Sequence, residues 1–255
     1  MLKHRVIPAL LLNNGGLVKT IQFKDPKYVG DPINAIRIFN DKEVDELLVL
    51  DIMASKQHFE PNYSLIEQIA GECFMPLAYG GGIQTVDQAR LLFGLGVEKI
   101  CVQSAAIENL SFISELVDHF GSQSIMVSMD IKRGWLGKPK LYQASTAKLL
   151  DDPWLDYLSA FVNAGAGEVL FNSVDKDGTL NGPDLQLIKQ AADHVSVPLI
   201  AVGGVSSLFD IKACVDAGAS AVAAGAFFVY HGPHRAVLIT YPKYQELKQL
   251  FKVNA

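Results

Sequence analysis

Pro76-Leu77-Ala78-Tyr79-Gly80-Gly81-Gly82-Ile83 returns 122 positions later as Pro198-Leu199-Ile200-Ala201-Val202-Gly203-Gly204-Val205, and the two stretches stay in register without a gap to Ala105 and Phe227. The same displacement sets Asp45-Glu46-Leu47 against Gly167-Glu168-Val169, and one of 119 sets Arg5 through Leu11 against Ser124 through Asp130. The chain is a doubled half, with repeats of about 1–122 and 123–255. Apolar runs bounded by Gly, Pro and Asp recur near 5–12, 46–52, 75–80, 99–103, 124–130, 167–173, 198–202 and 221–225. They are continuous rather than alternating, as strands of a parallel sheet buried on both faces are. Between them lie helical segments with start signals such as Thr85-Val86-Asp87-Gln88 and Ser207-Leu208-Phe209-Asp210, where a hydroxyl caps free N–H groups and the residue three later can reach back. Eight such units, a half-repeat and 255 residues predict one closed (β/α)8 TIM barrel over 1–255.

A chain with 49% apolar residues can fill a full core, and a net charge of −5 argues against a nucleic-acid footprint, which needs clustered Lys and Arg. A small anion is still admitted, because phosphate binding is local. Cys73, Cys101 and Cys214 are odd in number and lack metal-ligand spacing, so they read as core thiols of a reducing compartment, with neither metal nor cofactor expected. The opening Met1-Leu2-Lys3-His4-Arg5 and apolar Val6 to Leu12 superficially resemble a signal peptide. The run contains Pro8, leads into Asn13-Asn14-Gly15-Gly16 and matches the internal strand at 124–130, so a strand of a cytoplasmic protein is expected. No stretch is long and apolar enough to span a membrane.

Barrel chemistry sits at the C-terminal ends of the strands. There Gly81-Gly82 follows the third strand and Gly203-Gly204 the seventh, while Gln103-Ser104 and Gly225-Ala226 follow the fourth and eighth. Glycine lets backbone approach an anion closely, and a pattern present once per half predicts two phosphate sites across the mouth. That is the shape of an elongated, bisphosphorylated ligand. Residues 13–30, with Lys19, Lys24, Lys27 and Tyr28, read as a long βα loop, a lid or binding segment. Val174 through Gly182 faintly suggests a calcium loop, but its glycine comes early and Gln186 stands where a bidentate Glu belongs. A turn is the better reading, with Asp177 and Thr179 facing substrate. At the other end Arg5, Glu46, Lys99 and Glu168 sit near four strand starts, with signs that could close a ring; an ion-pair plug is the plain alternative.

These residues resemble the cyclase subunit of imidazole glycerol phosphate synthase over essentially the full length: Arg5-x-Ile7-Pro8, Lys19, Gly30-Asp31-Pro32, Asp45-Glu46-Leu47, Leu50-Asp51-Ile52-x-Ala54-Ser55, Gly80-Gly81-Gly82-Ile83, Asp130-x-Lys132-Arg133, Gly165-Ala166-Gly167-Glu168 and Asp175-x-Asp177-Gly178-Thr179. The resemblance implies a glutaminase subunit docked at the barrel bottom and ammonia passing a charged gate of Arg5, Glu46, Lys99 and Glu168. It also implies a bisphosphorylated ribonucleotide derivative at the mouth, with Lys19, Asp51, Asp177, Thr179 and the glycine sets as its contacts. Two catalytic carboxylates are implied as well. One falls on Asp130 and the other on Leu11, and Ala9 through Asn14 contains no acid to replace it. Loss of a positioned acid or base costs about 10²–10⁴-fold in rate.

Lys19 through Ala35 looks more like the cyclase-like paralogues of surface-polysaccharide (lipopolysaccharide) gene clusters, implicated in acetamidino modification of sugars beside a glutaminase and a separate sugar amidotransferase. Residues 134–148 also lack the Gly-Gly-Arg-Lys type of loop expected of the histidine-pathway enzyme. The alternatives are that cyclase itself and a phosphate-binding barrel without catalysis.

Overall fold

The computed structural model describes residues 4–252; residues 1–3, where the N-terminal segment begins, and 253–255 lie outside the described residues. Eight parallel strands lie in order around a barrel: β1 (Arg5–Asn13), β2 (Leu47–Asp51), β3 (Leu77–Gly80), β4 (Lys99–Val102), β5 (Ile125–Arg133), β6 (Glu168–Ser173), β7 (Leu199–Val202) and β8 (Ala221–Ala224). β8 pairs back onto β1, from Arg5 opposite Ala221 to Pro8 opposite Ala224, so the eight parallel strands close into a barrel. Each stretch read as a strand is one. The fold is a (β/α)8 barrel.

Period-2 alternation sorts the strand side chains into an inner and an outer set. Ile7, Ala9, Leu48, Ala78, Cys101, Met126, Leu170, Ile200, Ala221 and Ala223 form the inner apolar cluster, and four of these ten are alanine. The outer set, including Val6, Leu47, Ile100, Val127 and Val169, packs beneath the helices against Ile36, Phe39, Leu92, Leu116 and Phe161. Thr85 and Gln88 make the expected reciprocal cap. Ser207 accepts from the Asp210 N–H, but the Asp210 carboxylate reaches back to the N–H and hydroxyl of Ser206 instead of to Ser207. Among the described residues no helix is long and apolar enough to cross a membrane.

Residues 13–30 are not a lid loop. They form an antiparallel meander of Gly16–Ile21 and Lys24–Gly30 laid onto the end of β1. Its first turn, Asn14-Gly15, has both residues left-handed (φ 49° and 80°), the geometry whose twist matches a two-residue hairpin. The second half repeats the device: β5 runs on into antiparallel Pro139–Gln143 and Lys148–Leu149. The loop after β6 is clasped between the two extensions. Asp177 accepts the Gln22 N–H through its carbonyl at 2.9 Å, and the Asp175 carboxylate accepts the Arg133 N–H at 2.8 Å.

Gly178 sets that clasp. Its φ is +68°, and an added Cβ would lie 2.0 Å from the Thr20 carbonyl oxygen. Gly178→Ala combines left-handed strain with overlap against backbone, and about 2–4 kcal/mol of stability should be lost. Urea unfolding measures it; a loss under about 0.5 kcal/mol would show that the loop is not held by this contact.

Candidate functional site

At the floor, the Arg5 guanidinium donates to both Glu46 and Glu168, and the Lys99 ammonium donates to the same carboxylates at 3.1 and 2.9 Å. The four side chains close a ring. Glu46 and Glu168 are nearly buried, at 3% and 6% side-chain exposure, whereas Arg5 and Lys99 keep 31% and 22%. Burial alone would lower the Arg5 pKa; the charges and hydrogen bonds of Glu168 and Glu46 outweigh it and leave it raised. Two residues further along each strand, on the same face, come Ile7, Leu48, Cys101 and Leu170 of the inner cluster. One more step reaches Ala9, Leu50, Gln103 and Asn172 at the mouth. Charge, apolar layer and polar mouth follow one another along the barrel axis.

The mouth holds a cavity of about 240 Å³ whose walls include Leu11, Asp51, Gln103, Ser104, Asp130, Asn172 and Asp177. Asp130 is buried and accepts from the Gln103 amide at 2.7 Å. Burial raises its pKa to about 7 against that hydrogen bond, and the nearby Asp177 charge adds to the rise. Burial likewise lifts Asp177 to about 6, opposed by Lys19, and lowers Lys19 to about 8, opposed by Asp177. The Lys19 ammonium donates to the Ala9 carbonyl at 2.5 Å. Leu11 faces the same cavity from β1, four strands round the barrel from β5. The mouth therefore has a titratable acid on one side and an isobutyl group on the other.

The glycine sets sit in two separate places. On the cavity wall Gly82 donates to the Ser55 hydroxyl at 3.2 Å, and the hydroxyls of Ser104 and Ser145 are 2.9 Å apart. Asp51 accepts the N–H groups of Met53 and Ala54 and packs against Gly81, where a Cβ would meet the Asp51 carbonyl at 2.5 Å. Gly203, Gly204, Gly225 and Ala226, joined by Gly178 and Leu180, line a second hollow of about 20 Å³. Lys19 backs it, since a Cβ on Gly225 would lie 2.6 Å from the ammonium nitrogen. Thr179 lines neither space; its hydroxyl donates to the Lys176 carbonyl at 2.7 Å and shapes the turn. Asn172 and Ser145 were not singled out from the sequence. The Asn172 side-chain oxygen is buried, has no hydrogen-bond partner and lies 2.9 Å from where a Gly203 Cβ would stand. A polar residue inside the apolar run 168–173 was the available signal.

The family described as "Histidine biosynthesis protein" matches residues 5–234. The chain is 50% identical over 252 residues to "Putative imidazole glycerol phosphate synthase subunit hisF2" of Pseudomonas aeruginosa, covering 97% of this chain and 99% of the relative. It is 48% identical over 259 residues to "Putative imidazole glycerol phosphate synthase subunit HisF" of Leptospira borgpetersenii, covering 98% and 100%. It is 35% identical over 232 residues to "Imidazole glycerol phosphate synthase subunit HisF" of Alkaliphilus metalliredigens, covering 91% and 92%.

The raised pKa of Asp130 has a measurable sign. The folded chain keeps its proton up to about pH 7, whereas the unfolded chain releases it near the ordinary 3.8. The native state thus holds more protons across that window, and the stability tied to Asp130 is lost as pH rises through it. Asp130→Asn has no proton to lose, so its stability relative to wild type should improve by on the order of 2–3 kcal/mol between pH 5 and pH 8.5. Urea midpoints at the two pH values give the difference; a gap independent of pH would mean that the carboxylate is already ionised at pH 5.

Proposed function

The chain belongs to the histidine biosynthesis protein family, and on that premise we propose that it is the cyclase-like, ammonia-channelling subunit of a glutamine amidotransferase system. In this reading a glutaminase docks on the floor, and ammonia passes the Arg5–Glu46–Lys99–Glu168 ring into the barrel. A separate sugar amidotransferase then uses it for acetamidino modification of a surface-polysaccharide sugar, in the cytoplasm. The observation that carries the proposal is the conjunction of a closed charge ring at one end with Leu11 facing Asp130 across the other. Desolvating four charges costs free energy that apolar residues of similar size would avoid, so a purely structural plug explains the ring poorly. The names of the relatives from Pseudomonas aeruginosa and Leptospira borgpetersenii support a cyclase-like assignment.

At the mouth, the two glycine sets are proposed to hold the phosphates of a bisphosphorylated or phosphate-bearing molecule, with Lys19, Asp51 and Asp177 between them. Asp130, carrying a proton to about pH 7, is a group able to donate or accept one there. A second reading is the histidine-pathway cyclase. Asp130 with its Gln103 hydrogen bond favours it, and so does the name of the Alkaliphilus metalliredigens relative.

Two measurements separate these readings. A purified chain supplied with the bisphosphorylated ribonucleotide and free ammonium salts should turn over negligibly, and Leu11→Asp should raise that rate; appreciable wild-type turnover, unchanged by Leu11→Asp, would favour the histidine-pathway enzyme. In the assembly with its glutaminase, Lys99→Ala should raise the ratio of glutamine hydrolysed to nitrogen incorporated while the fold stays intact. A wild-type ratio in both Lys99→Ala and Glu168→Ala, or no glutaminase bound at all, would reduce the ring to an ion-pair network.

A further inference from the structure

The second hollow is small for the group assigned to it. About 20 Å³ is roughly the room of one water, so a phosphate seated there buries some of its oxygens against the backbone of Gly204, Gly225 and Ala226 and leaves the rest facing outward. A dianion left half-solvated in a groove of backbone dipoles gains most from cations on the open side, where charge-assisted hydrogen bonds form.

Two basic residues neighbour the wall residues. Lys176 begins beside Gly204, its Cβ 3.1 Å from where a Gly204 Cβ would be. Arg235 comes from the short hairpin of Tyr230–His231 and Ala236–Val237, which leaves the barrel directly after Ala226–Val229. Its guanidinium rests 5.9 Å from the Tyr230 ring centroid and donates weakly, at 3.3 Å, to the carbonyl of Thr179, between the wall residues Gly178 and Leu180. Both side chains are partly buried, and among the described residues neither is paired with a carboxylate. Arg235 also holds a left-handed backbone, φ 50°, closing a turn in which its N–H donates to the Gly232 carbonyl. A half-buried guanidinium with only a long bond to one carbonyl has donors to spare.

We propose that Arg235, assisted by Lys176, forms the outer rim of the Gly203–Gly204 and Gly225–Ala226 hollow and grips the outward oxygens of a terminal phosphate. The inference rests on the phosphate reading of that hollow and adds the residues that set its affinity. It also assigns a role to the hairpin at 230–237.

The full chain titrated with inorganic phosphate tests it, with the amide resonances of Gly204 and Gly225 reporting this hollow and that of Gly82 reporting the other. In Arg235→Gln the midpoint at Gly204 and Gly225 should move to about tenfold higher phosphate, the low end for losing a charged hydrogen bond at a partly exposed site, while Gly82 is unmoved. Lys176→Gln should act in the same direction, and Arg235→Lys should restore the midpoint to within about threefold because a cation returns. An unchanged midpoint at Gly204, or a failure of Arg235→Lys to restore it, overturns the rim while the phosphate sites stand. Equal shifts at Gly82 and Gly204 would reduce Arg235 to a diffuse field, which also overturns it. No response of either pocket to phosphate in wild type removes the phosphate reading and this inference together.

Discussion

Everything in this barrel depends on the pairing of β8 with β1. A parallel sheet left open there would expose a row of unpaired N–H and C=O groups, and the register from Arg5 opposite Ala221 to Pro8 opposite Ala224 removes that edge. Closure also divides the molecule into an inside and two ends. Alternation then dictates that the inner positions of one strand climb from floor to mouth in steps of two residues, as Glu46, Leu48 and Leu50 do, or Lys99, Cys101 and Gln103. The apolar layer that separates the charged floor from the polar mouth follows from that periodicity.

Two similar halves have built a mouth that is not symmetric. β1 and β5 are equivalent strands, each extended by an antiparallel meander, yet one presents Leu11 and the other Asp130. The glycine pairs are equivalent too, but Gly82 opens onto a wide cavity with the hydroxyls of Ser55, Ser104 and Ser145 nearby, whereas Gly204 faces a hollow of backbone backed by Lys19. Charge is distributed the same way. Burial perturbs Asp130, Asp177 and Lys19, while the Leu11 position, equivalent to Asp130, puts no carboxylate into the cavity. Perturbed carboxyl groups inside a cavity mark where proton chemistry can occur.

Much of this was legible in the chain. Short continuous apolar runs bounded by Gly, Pro and Asp fit strands buried on both faces, and the displacement of 119 that sets Arg5 through Leu11 against Ser124 through Asp130 makes Leu11 the partner of Asp130. The meander after β1 was missed although Asn14-Gly15 is a strong hairpin turn, because Lys24, Asp25, Pro26 and Lys27 carry no alternating apolar pattern and the strand they form is almost wholly exposed. The approach of Lys19 to Asp177 and to Gly225 depends on how that meander packs, which no local pattern encodes. Thr179 looked like a substrate contact by its place after Asp177 and Gly178; the left-handed turn at Gly178 and the bond to the Lys176 carbonyl direct it away from both pockets.

The floor shows why one member of the ring is better suited than the rest to act as the proposed gate. Glu46 and Glu168 are buried and each accepts from both cations, so moving either would strand a carboxylate in an apolar surround, a change that costs several kcal/mol. Arg5 bridges them with its two terminal nitrogens at once, a fork that loses two bonds together when it turns. Lys99 holds the same two acids with a single ammonium at the end of a flexible stem, at 2.9 to 3.1 Å, and is part-exposed toward the floor. It can swing outward into water while Arg5 continues to neutralise both carboxylates. The ring thereby opens without leaving a buried charge alone, and that is the physical requirement for a polar floor through which a small neutral molecule is to pass.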